Sequence, residues 1–228
     1  MTTWSDHLER EIERYRDGEE RLPEATDPDS RQRQLTRMGN AAGGAGLSLL
    51  MDGRSDEASE WLHRAAERYR ESVADAPPGS WGRPIGAMKS LVLAEDWEAA
   101  EEAARWALEY GAARSESPIG HYAAALALLI LERDHEAVAH ADAVRTRDDF
   151  PNDVGDALAF VAAQDVVGYV EAVERVLESF ETRDEYLEDI PVADTVLVLQ
   201  ALATRRGIAA ELESALLPSE RSADGGRP

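Results

Sequence analysis

Two stretches of this chain share one cadence. "PIGAMKSLVLAEDWEAA" starts at Pro84 and "PIGHYAAALALLILERDHEAV" at Pro118. Each opens Pro-Ile-Gly, runs through apolar residues, meets an acidic turn and restarts with Glu-Ala. Prolines at 84, 118, 151 and 191 are spaced 34, 33 and 40 residues apart. A period near 34 marks helix–turn–helix repeats, in which stacked units build the core that one unit cannot build alone. Proline suits the first turn of a helix, where its missing N–H costs nothing. Ser117 and Asp189 are the expected N-caps for the helices at Pro118 and Pro191.

The period predicts apolar A helices over 84–94, 118–132, 151–164 and 190–206. Amphipathic B helices follow over 97–110, 135–146 and 166–181. Trp97, Ala100, Ala104 and Leu108 recur at helical steps, as do Val166, Val170, Val173, Leu177 and Phe180. A looser hairpin precedes them, with "LTRMGNAAGGAGLSLLMDG" as its A helix and "DEASEWLHRAAERYRESV" as its B helix. Gly39, Gly43, Gly44 and Gly46 each cost that A helix about 1 kcal/mol relative to alanine. They either admit close backbone approach or mark a break. No β-branched run alternates with period two. The expected fold is all-α: one domain, a right-handed solenoid of antiparallel helical hairpins that resembles tetratricopeptide-type repeats in period. A charged helix over 1–22 and a linker over 23–30 precede the repeat domain at 31–217, and a disordered tail covers 218–228.

The surface chemistry narrows the partners. With 46 acidic against 24 basic side chains, the formal net charge is −22. That field repels phosphate backbones and anionic membranes, so neither nucleic acid nor a membrane is an expected partner. Lys89 is the sole lysine. High acidity with little lysine suits a salt-in halophile, where molar salt screens self-repulsion. An acidic protein of a GC-rich mesophile is the alternative. Cysteine is absent, which rules out disulfides and thiolate chemistry. No secretory pattern opens the sequence, so a cytoplasmic location is expected.

No complete catalytic constellation is legible, so the expectation is a non-enzyme without cofactor or metal. His135 and His140 diverge by about 140° on a helix. Glu136 and His140 share a face, but two ligands do not make a site. "GLSLL" around Ser48 lacks the strand and second glycine of a nucleophile elbow.

Two features stand out. Lys89 lies near the apolar face carrying Ile85, Met88 and Val92. It is either a groove residue meeting a partner or a snorkelling stem with an internal carboxylate. The second feature is the acidic segment from Glu178 to Gly207. It gathers Glu185, Glu188 and Asp189 around Tyr186 and places Asp194 in an apolar helix. Asp194 either satisfies N–H groups in a first turn or joins a patch that captures a basic partner. Trp81 and Arg83 fall in a loop before a helix N-terminus, where repeat proteins expose contacts. With Tyr122, these residues form the expected partner-binding set.

The stretch "VADTVLVLQALATRRGIAAELESALLP" resembles the closing segment of the family-49 immunity proteins of polymorphic toxin systems. Ala203, Arg206, Gly207, Leu217 and Pro218 carry the likeness. It covers roughly the last 45 residues. The resemblance implies an all-helical protein that binds and neutralises a cognate toxin domain. The alternative is a general repeat adaptor in a halophile's cytoplasm, with several weaker partners.

Overall fold

The computed structural model describes residues 3–147, 150–186 and 189–219. They form ten α-helices and no strand: α1 Trp4–Arg21, α2 Pro28–Met51, α3 Ser55–Ser72, α4 Gly82–Leu93, α5 Trp97–Tyr110, α6 Pro118–Ile130, α7 Asp134–Arg145, α8 Asn152–Ala163, α9 Val166–Glu181 and α10 Asp194–Thr204. Each helix from α1 to α9 packs on the next, as a helical repeat requires.

The acidic turns share one geometry. Gly53, Glu95, Glu132 and Gln164 are left-handed, with φ of 70°, 57°, 55° and 53°. The residue after each donates its N–H five positions back: Arg54 to Leu49, Asp96 to Leu91, Arg133 to Leu128, Asp165 to Phe160. This satisfies carbonyls that the ending helix leaves open. Asp96 and Asp165 then cap the next helix, accepting from the N–H of Ala99 and Gly168. A fifth copy ends α10, where Gly207 is left-handed (φ 71°) and Ile208 donates to Ala203. The cadence in the sequence is therefore this turn, repeated.

The A helices are the apolar ones. Every residue of α6 from Tyr122 to Ile130 is buried. The B helices bury one stripe, as in α9 with Tyr169, Val173, Val176 and Phe180. Val166 was expected on that stripe, but it opens the helix beside the turn and is 49% exposed.

Several boundaries differ from expectation. Ser117 does cap α6, accepting from Gly120 N–H. Pro191 precedes its helix: α10 begins at Asp194, and Asp189 caps nothing there but has a left-handed backbone (φ 56°). The reason is tertiary. Ile190, Val192 and Ala193 are buried as non-helical chain, and Ala193 N–H donates to Leu216 O. The expected linker is largely helical as well. Leu22–Glu24 form a 3-10 turn, and α2 starts at Pro28 with Asp27 as its cap. The glycines do not break α2. Helix α1 packs on α2, and its Tyr15 accepts a hydrogen bond from Arg68 of α3. Of the expected tail, Pro218 and Ser219 are described and residues 220–228 lie outside the described residues.

Helix α10 does not pack only on its chain neighbours. It touches α4 as well as α8 and α9. Arg206, at its end, donates to Asp134 Oδ1 (2.5 Å) and to the Leu129 carbonyl. No described helix is long and apolar enough to cross a membrane.

Candidate functional site

A groove of about 330 Å³ opens between α2 and α4, with α3 as its floor. Tyr69 of α3 creates it by wedging between the two A helices. A Cβ on Gly39 of α2 would lie 2.9 Å from one edge of the Tyr69 ring, and a Cβ on Gly86 of α4 would lie 2.7 Å from the other. Only glycine fits on either side. The phenol donates to Asn40 Oδ1 (2.9 Å), which fixes the ring.

Most glycines of α2 answer to packing of this kind. A Cβ on Gly44 would meet Glu11 at 3.0 Å, and one on Gly46 would meet Leu62 at 2.7 Å. Gly43 is different. A Cβ there would meet nothing closer than Ala65 at 3.9 Å, so alanine would fit. Glycine in a helix interior costs about 1 kcal/mol relative to alanine, and no packing contact requires it here. Its effect is to leave the groove open.

The groove is polar at one end and apolar at the other. Thr36 and Arg83 stand at the first end, Leu47 and Leu93 at the second. Thr36 and Leu47 are separated by about 16 Å of helix rise. Arg83 donates from Nε to Thr36 Oγ1 (3.2 Å) and from Nη2 to Gln32 Oε1. Both acceptors are neutral. Among the described residues no carboxylate pairs with this half-buried guanidinium, and Nη1 has no acceptor. Burial pulls its pKa below the ordinary arginine value.

Lys89 and Asp194 form the side wall. Lys89 Nζ lies 2.5 Å from Asp194 Oδ2 and donates to Thr195 Oγ1 (3.1 Å). Their side chains are 15% and 22% exposed. Burial pulls the ammonium down, but the Asp194 charge and hydrogen bond outweigh it, and the pKa lies above 10.5. The two charges cancel, so Arg83 is the groove's unmatched charge.

The fold thus brings together Arg83, Lys89 and Asp194 from the expected set. It does not bring the others to the groove. Trp81 and Tyr122 were expected to present a surface, but each is only 7% exposed. Trp81 packs edge-on to Tyr110, and Tyr122 packs on Phe150. Large rings at helix starts are where neighbouring hairpins meet, so they fill the core. Burial, with Asp194 nearby, raises the Tyr122 pKa against the pull of Lys89. Tyr186 is half-buried and donates to the Phe180 carbonyl (2.8 Å), closing the end of α9. Glu185 and Asp189 are exposed, and Glu188 lies outside the described residues. Thr36, Asn40 and Tyr69 escaped the sequence reading, and Gly43 was grouped there with its packed neighbours, because nothing local distinguishes an open glycine from a packed one.

Ser59, His63 and Asp96 come together outside the groove and invite comparison with a hydrolytic triad. Their wiring is wrong for one. His63 Nδ1 faces the Ser59 carbonyl at 2.8 Å, and Nε2 faces Asp96 Oδ2 at 2.9 Å. The Ser59 hydroxyl lies 3.4 Å from Nδ1, farther than the carbonyl of the same residue, so the ring is directed at the backbone and not at the hydroxyl as a triad histidine is. Burial lowers the His63 pKa, but Asp96 and the Ser59 carbonyl outweigh it, and the net shift is upward. Among the described residues no three His, Asp or Glu side chains converge on a metal position.

No family model, curated protein or solved structure matches this chain. The residues behind the immunity-family resemblance have structural work of their own. Arg206 ties α10 to Asp134, Gly207 supplies the left-handed turn, and Leu217 is buried.

Proposed function

We propose that this chain is a non-catalytic binding module, a tetratricopeptide-like right-handed stack that captures a partner protein at the α2–α4 groove. The observation that carries the reading is Arg83, a half-buried cation without a carboxylate in a chain of net charge −22. Leaving such a charge unmatched costs stability, and a bound partner group would offset that cost. The C-terminal resemblance makes the partner a toxin domain, and the cell interior the place where the pair would meet. The acidic composition suits a halophile's cytoplasm, where a general adaptor would serve equally.

Affinity capture in molar salt, with the wild type and Gly43→Leu side by side, tests this. One stoichiometric partner, held by the wild type and lost by Gly43→Leu, is the expected result. A toxin-like domain in that partner would favour immunity. A spread of substoichiometric partners would favour the adaptor. Equal capture by both proteins would remove the groove from the function.

A further inference from the structure

Resting on the binding-module reading, we infer that the α2–α4 groove takes an elongated apolar group that ends in a carboxylate, held by Arg83. Three independent observations converge on this. First, Arg83 lines the polar end of the cavity, and Thr36 and Gln32 hold its Nε and Nη2 while Nη1 has no acceptor among the described residues. A planar fork fixed on one edge presents the other to a planar anion, and carboxylate is the planar anion that matches it. Second, the path away from Arg83 becomes apolar, past the Tyr69 ring toward Leu47, Leu62 and Leu93. A compact inorganic anion would leave that length unfilled. Third, Gly43 keeps the middle of the path open where a Cβ would fit without a clash.

Charge selects within this class. Lys89 and Asp194 neutralise each other on the wall, so the site as a whole carries one positive charge. A monoanion is matched. A dianion would bring a second charge into a groove whose other cation is already paired, and into the field of an acidic protein. The α4 N-terminus adds to the polar end, because no side chain caps it and Gly82 lines the groove. Two sources share this chemistry: a free medium-chain carboxylate, and the C-terminal residue of a protein partner with an apolar side chain.

Titration calorimetry on the full chain separates them. The probes are octanoate, octan-1-ol, and an acetylated peptide ending in Val-Leu with either a free carboxylate or an amide. At least one carboxylate is expected to bind with 1:1 stoichiometry, ten-fold or more tightly than its neutral counterpart. The tighter of the two carboxylates identifies the source. Arg83→Gln should erase the preference for the charged probe and leave the octan-1-ol affinity unchanged. Gly43→Leu should abolish binding of every probe while the melting temperature holds or rises, which guards against loss of fold. Failure of both carboxylates to bind at millimolar concentration overturns the inference, as does binding that survives Gly43→Leu. If partner capture still requires an open Gly43 while both carboxylates fail, the ligand class is wrong and the binding-module reading stands. If both carboxylates bind at Arg83 while capture ignores Gly43, the ligand class stands and the protein-partner reading falls.

Discussion

Lys89 and Asp194 are 105 positions apart, and each is awkward alone. An ammonium and a carboxylate near apolar faces both ask for a partner, and here each answers the other. Of the two readings offered for Lys89, the internal carboxylate is present as Asp194, and Lys89 also lines the groove. Removing one partner leaves the other charge half-buried. Lys89→Met should therefore destabilise by about 3 kcal/mol, the low end for a buried pair, because both groups retain some solvent. Pairing it with Asp194→Leu should restore most of that loss, and a double-mutant cycle in denaturant would measure the coupling. The sign of the pH dependence follows from the raised lysine pKa. The contribution is whole below the unfolded value of 10.5 and is lost as pH rises through the folded value. A coupling below about 0.5 kcal/mol would mean the pair is solvated in effect.

At the scale of elements, helical spacing along the chain located the hairpins but not the contacts between them. His140 read as a companion of Glu136 on one face of its helix. Across the α6–α7 hairpin it meets His121 instead, with their Nδ1 atoms 2.9 Å apart. One proton can sit between those atoms, and two cannot. Burial lowers the pKa of both rings, helped by Arg147 at His121 and by His121 at His140. Both folded values thus lie below the unfolded 6.5. Their contribution is complete above pH 6.5 and is lost as pH falls through the lowered values. His63 works in the opposite sense, because Asp96 holds its pKa up. Melting temperature followed from pH 7.5 to 5 should fall in the wild type. His140→Gln should flatten that fall, and an unaltered slope would show that the pair contributes nothing. Proline placement failed in a related way. Pro118 opens its helix because a serine cap precedes it, whereas the chain around Pro191 is kept out of the helix, with Ile190 and Val192 buried and Val192 N–H donating to the Ile190 carbonyl.

For the whole molecule the dominant field is its own charge of −22. Raising potassium chloride from 0.1 to 2 M shortens the Debye length from about 10 Å to roughly 2 Å. Self-repulsion should fade, and the melting temperature should rise by about 5–10 °C, equivalent to roughly 2–3 kcal/mol for a chain of this size. A flat response across that range would remove the argument for adaptation to salt. All-helical architecture, the hairpin sequence and the acidic turns were legible in the linear text. Each rests on interactions within about six residues: a left-handed residue, a cap, an apolar stripe. The groove was not legible, because it is made of distances between segments. It exists because Tyr69 of α3 holds α2 and α4 apart, because α10 folds back to bring Asp194 to Lys89, and because among the described residues no carboxylate reaches Arg83. Local pattern specifies which helices form. Which side chains are left unmatched depends on how those helices pack, and that is where the proposed binding chemistry of this chain would reside.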